Sequence, residues 1–255
     1  MSVTLVKEQV SRARLALIER HRALYDAPEV DAKLAGIIRD APHSKLSEWD
    51  IHRMLRISRS VLFDTHVEVV SGHHTATYLR FESIARVPQL ITLIARDMAD
   101  WLRKTFEKDP VVGILATASD AQLLAERLAD LLRRQMPLRV VLTPFSRETG
   151  RVGTDIAPGA IRQGDRFLAL NDVTARGNCV SKLGKVITDH GGVLAGLMVF
   201  ARRDSGQFPL MADLTAQHPF YCTADLDMPQ WEPERCPLCA GKLPLLSWKD
   251  MPELS

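Results

Sequence analysis

The sequence predicts an α/β fold, a parallel sheet flanked by helices, and three observations carry the prediction. Short, continuous apolar runs recur at Val111–Leu115, Leu138–Thr143, Phe167–Leu170 and Val193–Phe200, the pattern of strands buried on both faces. Helical patterns fill the intervals over Ala118–Arg134 and Val180–His190. At Arg166–Val180, written RFLALNDVTARGNCV, an apolar run meets Asn171 and Asp172, turns through Gly177 and resumes with helical spacing. A buried strand that ends on an acid and turns into a helix N-terminus aims unpaired N–H groups at one spot, which suits phosphate. An ordinary strand-turn-helix joint reads the same way in sequence.

Length and composition bound the rest. The 255 residues suffice for one large α/β domain with an appendage, or for two small domains. Charged residues are 25%, hydrophobic residues 46% and the formal net charge is +2, so nothing global draws the chain to nucleic acid or to a membrane. No apolar run approaches the roughly 18 residues of a membrane helix, and the N-terminus lacks the apolar core of a signal peptide. The cytoplasm is the expected location, where cysteines read as thiols or metal ligands before disulfides.

Residues 1–60 read as an N-terminal helical extension, with Leu5, Val10, Leu15, Leu17 and Ile18 as apolar positions among charges. A break at Asp40–Ser44 precedes a second helix capped at Ser47, with Glu48 and Asp50 in its first turn. Arg12, Arg14, Arg20, Arg22, Arg53, Arg56 and Arg59 form either a solvated face or a surface for a protein or nucleic-acid partner.

Residues 61–210 hold the α/β domain. Val61–Val70 alternates as a strand does. The stretch Ser71-Gly72-His73-His74-Thr75-Ala76-Thr77-Tyr78 then reads, at its simplest, as a Ser-Gly turn joining two strands. Arg86–Lys108 is an amphipathic helix with Leu90, Ile91, Leu93, Ile94, Met98, Trp101 and Leu102 as its stripe. Ser119 or Asp120 caps the next helix, and the glycine-bearing polar run Phe145–Gly153 reads as a mobile lid.

Residues 211–255 form a Cys-containing C-terminal tail, a candidate zinc knuckle. His218, Cys222, Cys236 and Cys239 are the candidate ligands, because zinc favours thiolate and imidazole and often takes Cys-x-x-Cys as half a site. Buried or redox-active thiols, or plain surface thiols, are the alternatives.

Taken in order, these segments resemble the type I phosphoribosyltransferases, and the orotate phosphoribosyltransferases most. Arg166–Val180 is similar to the motif that binds phosphoribosyl diphosphate (PRPP). Asp172 and Gly177 are kept, Asn171 replaces the first acid, and Ala175, Arg176, Asn178 and Cys179 stand where Thr, Thr, Gly and Thr are usual. Ser71, His74 and Tyr78 are spaced as in the hood that covers the base, and Arg203 matches an arginine that meets it, although Arg202 replaces an acid. The pyrophosphate loop reads Ala116–Ala121 without glycine, and the lid keeps cations only as Arg147 and Arg151.

The resemblance implies that Asp172 holds the ribose hydroxyls and lends charge to C1, while Asn171 binds a hydroxyl without lending charge. It implies that the backbone of Thr174, Ala175, Arg176, Gly177, Asn178 and Cys179 cradles the 5′-phosphate, and that Ser71, His74, Tyr78 and Arg203 face the base. Arg147 and Arg151 would close over departing pyrophosphate, with Mg²⁺ on the diphosphate, in a homodimer. Three functions follow as expectations. The first is a transferase acting on PRPP or on a nucleotide, the second a non-catalytic binder that docks a partner. The third, by analogy alone, is an effector of a bacterial defence system such as a retron.

Overall fold

The computed structural model describes residues 3–203 and 208–251, of which residues 3–10 are described by backbone alone. Asp204, Ser205 and Gly206, which follow Arg203 in the base-contact motif, lie outside the described residues, as does the end of the tail.

The central sheet has six strands in the order Ile38–Arg39, Phe220–Leu226, Val193–Arg202, Arg166–Thr174, Gly113–Thr117, Arg139–Thr143. Five are mutually parallel, and the edge pair Ile38–Arg39 runs antiparallel to Phe220–Leu226. Alternation along each strand feeds two cores. Leu168, Leu170, Met198, Phe200 and Ile114 face one, under the helices Pro88–Thr105 and Asp120–Leu132. Phe167, Ala169, Leu197, Val199 and Leu115 face the other, under the helix Asn178–Asp189. Covering on both sides is why the sequence shows continuous apolar runs. Truncating one such side chain, Leu168→Ala for instance, costs about 2–5 kcal/mol.

The first 60 residues, mainly helical as expected, pack into the α/β domain. Tyr25, Val30, Leu34, Ile51, Met54 and Leu55 belong to the first core, and Tyr25 Oη donates to Val61 O at 3.0 Å while accepting from Val61 N at 3.2 Å. The helix Glu48–Ser58 starts as predicted, on a capping box in which Asp50 N donates to Ser47 Oγ and Ser47 N to Asp50 Oδ2. Arg59 pairs with Asp26 at 2.9 Å and Arg56 with Asp31 at 3.1 Å, so part of the basic face is spent within the chain. Sequence periodicity marked the apolar positions but not the neighbours that cover them.

The tail also joins the sheet, because Phe220–Leu226 is a central strand rather than a loop. Its Tyr221 hydroxyl donates to Asp97, which also accepts from Ser44 Oγ at 3.0 Å and Lys45 N at 2.8 Å. That buried carboxylate joins the N-terminal loop, the Pro88–Thr105 helix and the strand.

The hood is more broken than its alternation suggested. Asp64, at φ 51°, turns the chain between Val61–Leu62, which pairs with Tyr78–Leu79, and Val67–Glu68, which pairs with His74–Thr75. The tail then brackets this second pair, giving a four-stranded sheet in the order Gln230–Trp231, His74–Thr75, Val67–Glu68, Leu246–Ser247. Among the described residues, no helix is long and apolar enough to cross a membrane.

Candidate functional site

Strand order reverses around Gly113–Thr117: its successor Arg139–Thr143 lies on one side and Arg166–Thr174 on the other. Loops diverge at such a reversal, so the carboxyl ends of the two strands open a crevice. A cleft of about 840 Å³ lies there, and Thr117 Oγ1 donates to Asn171 Oδ1 across the gap at 3.1 Å.

On one wall the strand Arg166–Thr174 ends and Gly177 caps the helix Asn178–Asp189 at φ 84°. The left-handed region costs an L-residue about 1–2 kcal/mol, and a Cβ here would sit 3.1 Å from Leu214 Cδ1. A glycine cap brings no side chain to the first-turn amides, which stay open to an anion beside the positive end of the helix. Arg203 N donates to Thr174 O at 2.8 Å and fixes the loop to the next strand. Residues 174–179 all line the cleft. Burial pushes the Cys179 thiol up to about 11, so it is not a thiolate at neutral pH.

Asp172 lines the same cleft. Burial raises its carboxyl to about 6, against the Val173 N–H that donates to it at 2.8 Å, and the nearby Asp120 raises it further. Asn171 lines the cleft beside Asp172. Its Oδ1 accepts from Thr117, its Nδ2 donates to Val173 O at 3.0 Å, and it is buried. The side chain braces the reversal point.

Toward the hood, Ser71, Tyr78 and Arg203 line the cleft. The Arg203 guanidinium lies 6.0 Å from the Tyr78 ring centroid. Its buried Nε has no hydrogen-bond partner among the described residues. Burial lowers the Arg203 pKa, with Tyr78 and Asp172 opposing, and raises that of Tyr78. Arg176 is held at the rim, its guanidinium 3.0 Å from His73 Nε2 and 4.9 Å from the Phe208 ring centroid.

The opposite wall has the same strand-to-helix form and different chemistry. Ser119 caps the helix Asp120–Leu132, its Oγ accepting from Ala121 N at 3.4 Å. Asp120 adds a carboxylate to the first turn, its pKa raised by burial and then by Glu82. Glu82 is itself paired with Arg80 at 2.6 Å and Arg86 at 2.9 Å. The predicted lid is a short hairpin, Phe145–Ser146 against Arg151–Val152, and it brings Arg147 and Arg151 to the cleft. Gly150, at φ 67°, seats its turn where a Cβ would lie 2.3 Å from Val70 Cγ1.

Three sequence-predicted residues fall elsewhere. His74 is not on the cleft: it faces away into a group with His66, Cys236 and Cys239, whose donor atoms lie within 4.8 Å of one another. His218 ends the helix Pro209–Gln217, and Cys222 packs in the second core because strand alternation turns it there. The predicted ligand set of His218, Cys222, Cys236 and Cys239 is therefore corrected, with the hood supplying both histidines. Sequence reasoning also missed Glu82, Arg14, Lys182, Trp248 and Lys249 on the cleft and Asp120 as more than a cap. Only Lys182, one turn past Gly177, had a local signal.

No protein-family model matches the chain. An orotate phosphoribosyltransferase of Thermus thermophilus is 30% identical over 185 residues, 72% of this chain and 92% of the relative. One from Caldicellulosiruptor saccharolyticus is 25% identical over 186 residues, 72% of this chain and 88% of the relative. Among solved structures, orotate phosphoribosyltransferase of Mycobacterium tuberculosis H37Rv in complex with inorganic phosphate aligns with a TM-score of 0.50 and 15% identity, over 68% of this chain and 94% of that one. UMP synthase of Leishmania donovani aligns with a TM-score of 0.52 and 18% identity, over 68% of this chain but 35% of that one. The structural likenesses bear on fold alone, a type I phosphoribosyltransferase architecture.

Proposed function

Because the chain belongs to the orotate phosphoribosyltransferase family, we propose that its cleft binds a 5-phosphorylated ribose, with a nucleotide preferred to PRPP, and acts at ribose C1. One observation supports this most: the glycine-capped amides after Gly177 and the Asp172 carboxyl open on a single cleft at the reversal point. The 5′-phosphate takes the amides, Asp172 takes the ribose hydroxyls, and the base lies toward Tyr78 and Arg203. Transfer from PRPP breaks the bond from C1 to the pyrophosphate oxygen, which leaves with the electron pair. A ring nitrogen of the base bonds to C1 and gives up its proton. Ionised Asp172 stabilises the positive charge that develops on the ribose.

Asp120 argues for the nucleotide. A carboxylate where diphosphate would arrive repels it, and Ser119 has already taken one helix amide. Mg²⁺ suits the same place, since Asp120 and Asp172 offer the oxygen donors a hard cation takes. Bound there with a diphosphate, it would neutralise charge that Arg147 and Arg151 meet from the lid. The same carboxylate favours a second reading, a ligand-binding protein that releases no pyrophosphate.

A thermal-shift panel of ribose 5-phosphate, PRPP, nucleotides, orotate and unphosphorylated ribose, with and without Mg²⁺, tests the binding. Ligand at a hundredfold excess over Kd stabilises by about 2.7 kcal/mol, several degrees in Tm. Phosphorylated ribose should raise Tm and ribose should not; equal, absent shifts for all would reject the reading. Pyrophosphate release from PRPP then separates transferase from silent binder.

A further inference from the structure

The geometry points to one zinc ion held by His66, His74, Cys236 and Cys239, clipping the tail to the hood. Cys236 Sγ and Cys239 Sγ lie 3.5 and 3.6 Å from His66 Nε2, Cys239 Sγ lies 3.2 Å from His74 Nδ1, and the two ring nitrogens are 3.0 Å apart. Bonds of about 2.3 Å to sulfur and about 2.05 Å to nitrogen in a tetrahedron separate an S–N pair by about 3.6 Å and an N–N pair by about 3.3 Å. Four of the six edges of such a tetrahedron thus already lie within about 0.4 Å of these lengths, and no two of the donor atoms are more than 4.8 Å apart.

Chemistry agrees with distance. His66 Nδ1 lies 2.9 Å from Leu243 O, so that nitrogen carries the proton and Nε2 presents a lone pair to the group. This is the backbone-carbonyl partner that ligating histidines take. Three of the four residues are buried, and without an ion they crowd lone pairs and thiols on one point. The Cys-x-x-Cys segment is a tight turn, with Ala240 N donating to Cys236 O at 3.2 Å and Lys242 N to Cys239 O at 3.0 Å. A two-sulfur, two-nitrogen tetrahedron suits zinc rather than the hard cation of the cleft.

The clip's place in the fold gives it a consequence. Gln230–Trp231 and Leu246–Ser247 are the outer strands of the hood sheet, and the ligating turn lies in the connection between them. Trp248, Lys249 and Met251 continue from that connection onto the cleft. The ion therefore fixes one wall of the cleft from outside it, and its presence does not depend on which ligand the cleft takes.

Metal analysis of the purified chain tests the assignment. About one equivalent of zinc is expected, retained in His218→Ala and Cys222→Ala and lost in His66→Ala and Cys239→Ser. Cys239 is exposed, so its variant should keep the far-ultraviolet spectrum and separate metal loss from misfolding. Chelation should lower Tm, Zn²⁺ but not Mg²⁺ should restore it, and protease should then cut first within residues 232–247. Sub-stoichiometric metal with no Tm response to added Zn²⁺ would overturn the proposal. So would retention in Cys239→Ser, or a two-dalton mass deficit (two hydrogens) marking a disulfide between Cys236 and Cys239.

Discussion

The two walls of the cleft are the same construction with opposite outcomes. Each is a parallel strand feeding a helix at the reversal point, Arg166–Thr174 into Asn178–Asp189 and Gly113–Thr117 into Asp120–Leu132. On the first, Gly177 leaves the helix start open; on the second, Ser119 fills it and Asp120 places a carboxylate there. The fold thus supplies two helix starts at one crevice, and single residues decide which stays open. At the first wall, where backbone amides face the cleft, strand, Asp172, Gly177 and helix stand together whatever the side chains of Ala175, Arg176 and Cys179. At the second wall, Asp120 sets a carboxylate at the positive end of the helix.

The largest expected effect comes from closing the open wall. Gly177→Val combines a forbidden φ with a clash at Leu214 and should weaken ribose 5-phosphate binding by more than about 100-fold, read by calorimetry on protein whose circular dichroism is unchanged. Undiminished affinity would break the comparison at its root.

Asp172→Asn comes next, with a loss of about 10- to 100-fold, the worth of a hydrogen bond to a charged group. Its pH dependence is the sharper readout. The carboxyl is raised from 3.8 to about 6 by burial, so its stability contribution is full below 3.8 and is lost as pH rises through about 6. Ribose hydroxyls favour the ionised form, and affinity should therefore rise across that interval. The phosphate ionises near pH 6 as well, which makes the difference between wild type and Asp172→Asn the measurement; parallel profiles would remove Asp172 from the site.

Opening the closed wall should give a smaller, opposite change. Asp120→Ala should tighten PRPP in the absence of Mg²⁺ by about 5- to 10-fold, as repulsion at the helix start is removed, while ribose 5-phosphate changes less than twofold. Arg147→Ala should weaken PRPP by about threefold and leave ribose 5-phosphate alone. Equal effects on both ligands would mean that the two walls do not divide the ligand as described.

The sheet was legible because buried parallel strands cannot hide: Phe167–Leu170 and Val193–Phe200 have no other reading that fits their length. The open socket was legible too, since strand, acid, glycine and helix are consecutive. Much else was not. Tyr25 and Met54 carried no sequence signal that the sheet's core would cover them. Cys222 stood close enough in sequence to Cys236 to suggest a shared site, yet its strand carries it into the other core. His66 and His74 lie more than 160 residues from the cysteines they meet, and only pairing of the tail strands with the hood sets that register. The bonds of the Asn171 amide to Thr117 and Val173, across the reversal point, had no signal in the sequence.

The central claim is that the helix start after Gly177 receives the phosphate. Titrating ¹⁵N-labelled protein with ribose 5-phosphate tests it most directly. The account predicts that the largest amide shifts fall on residues 175–180 and saturate with the same Kd as calorimetry, with residues 118–122 little moved. Shifts concentrated on residues 118–122, or on neither wall, would contradict it.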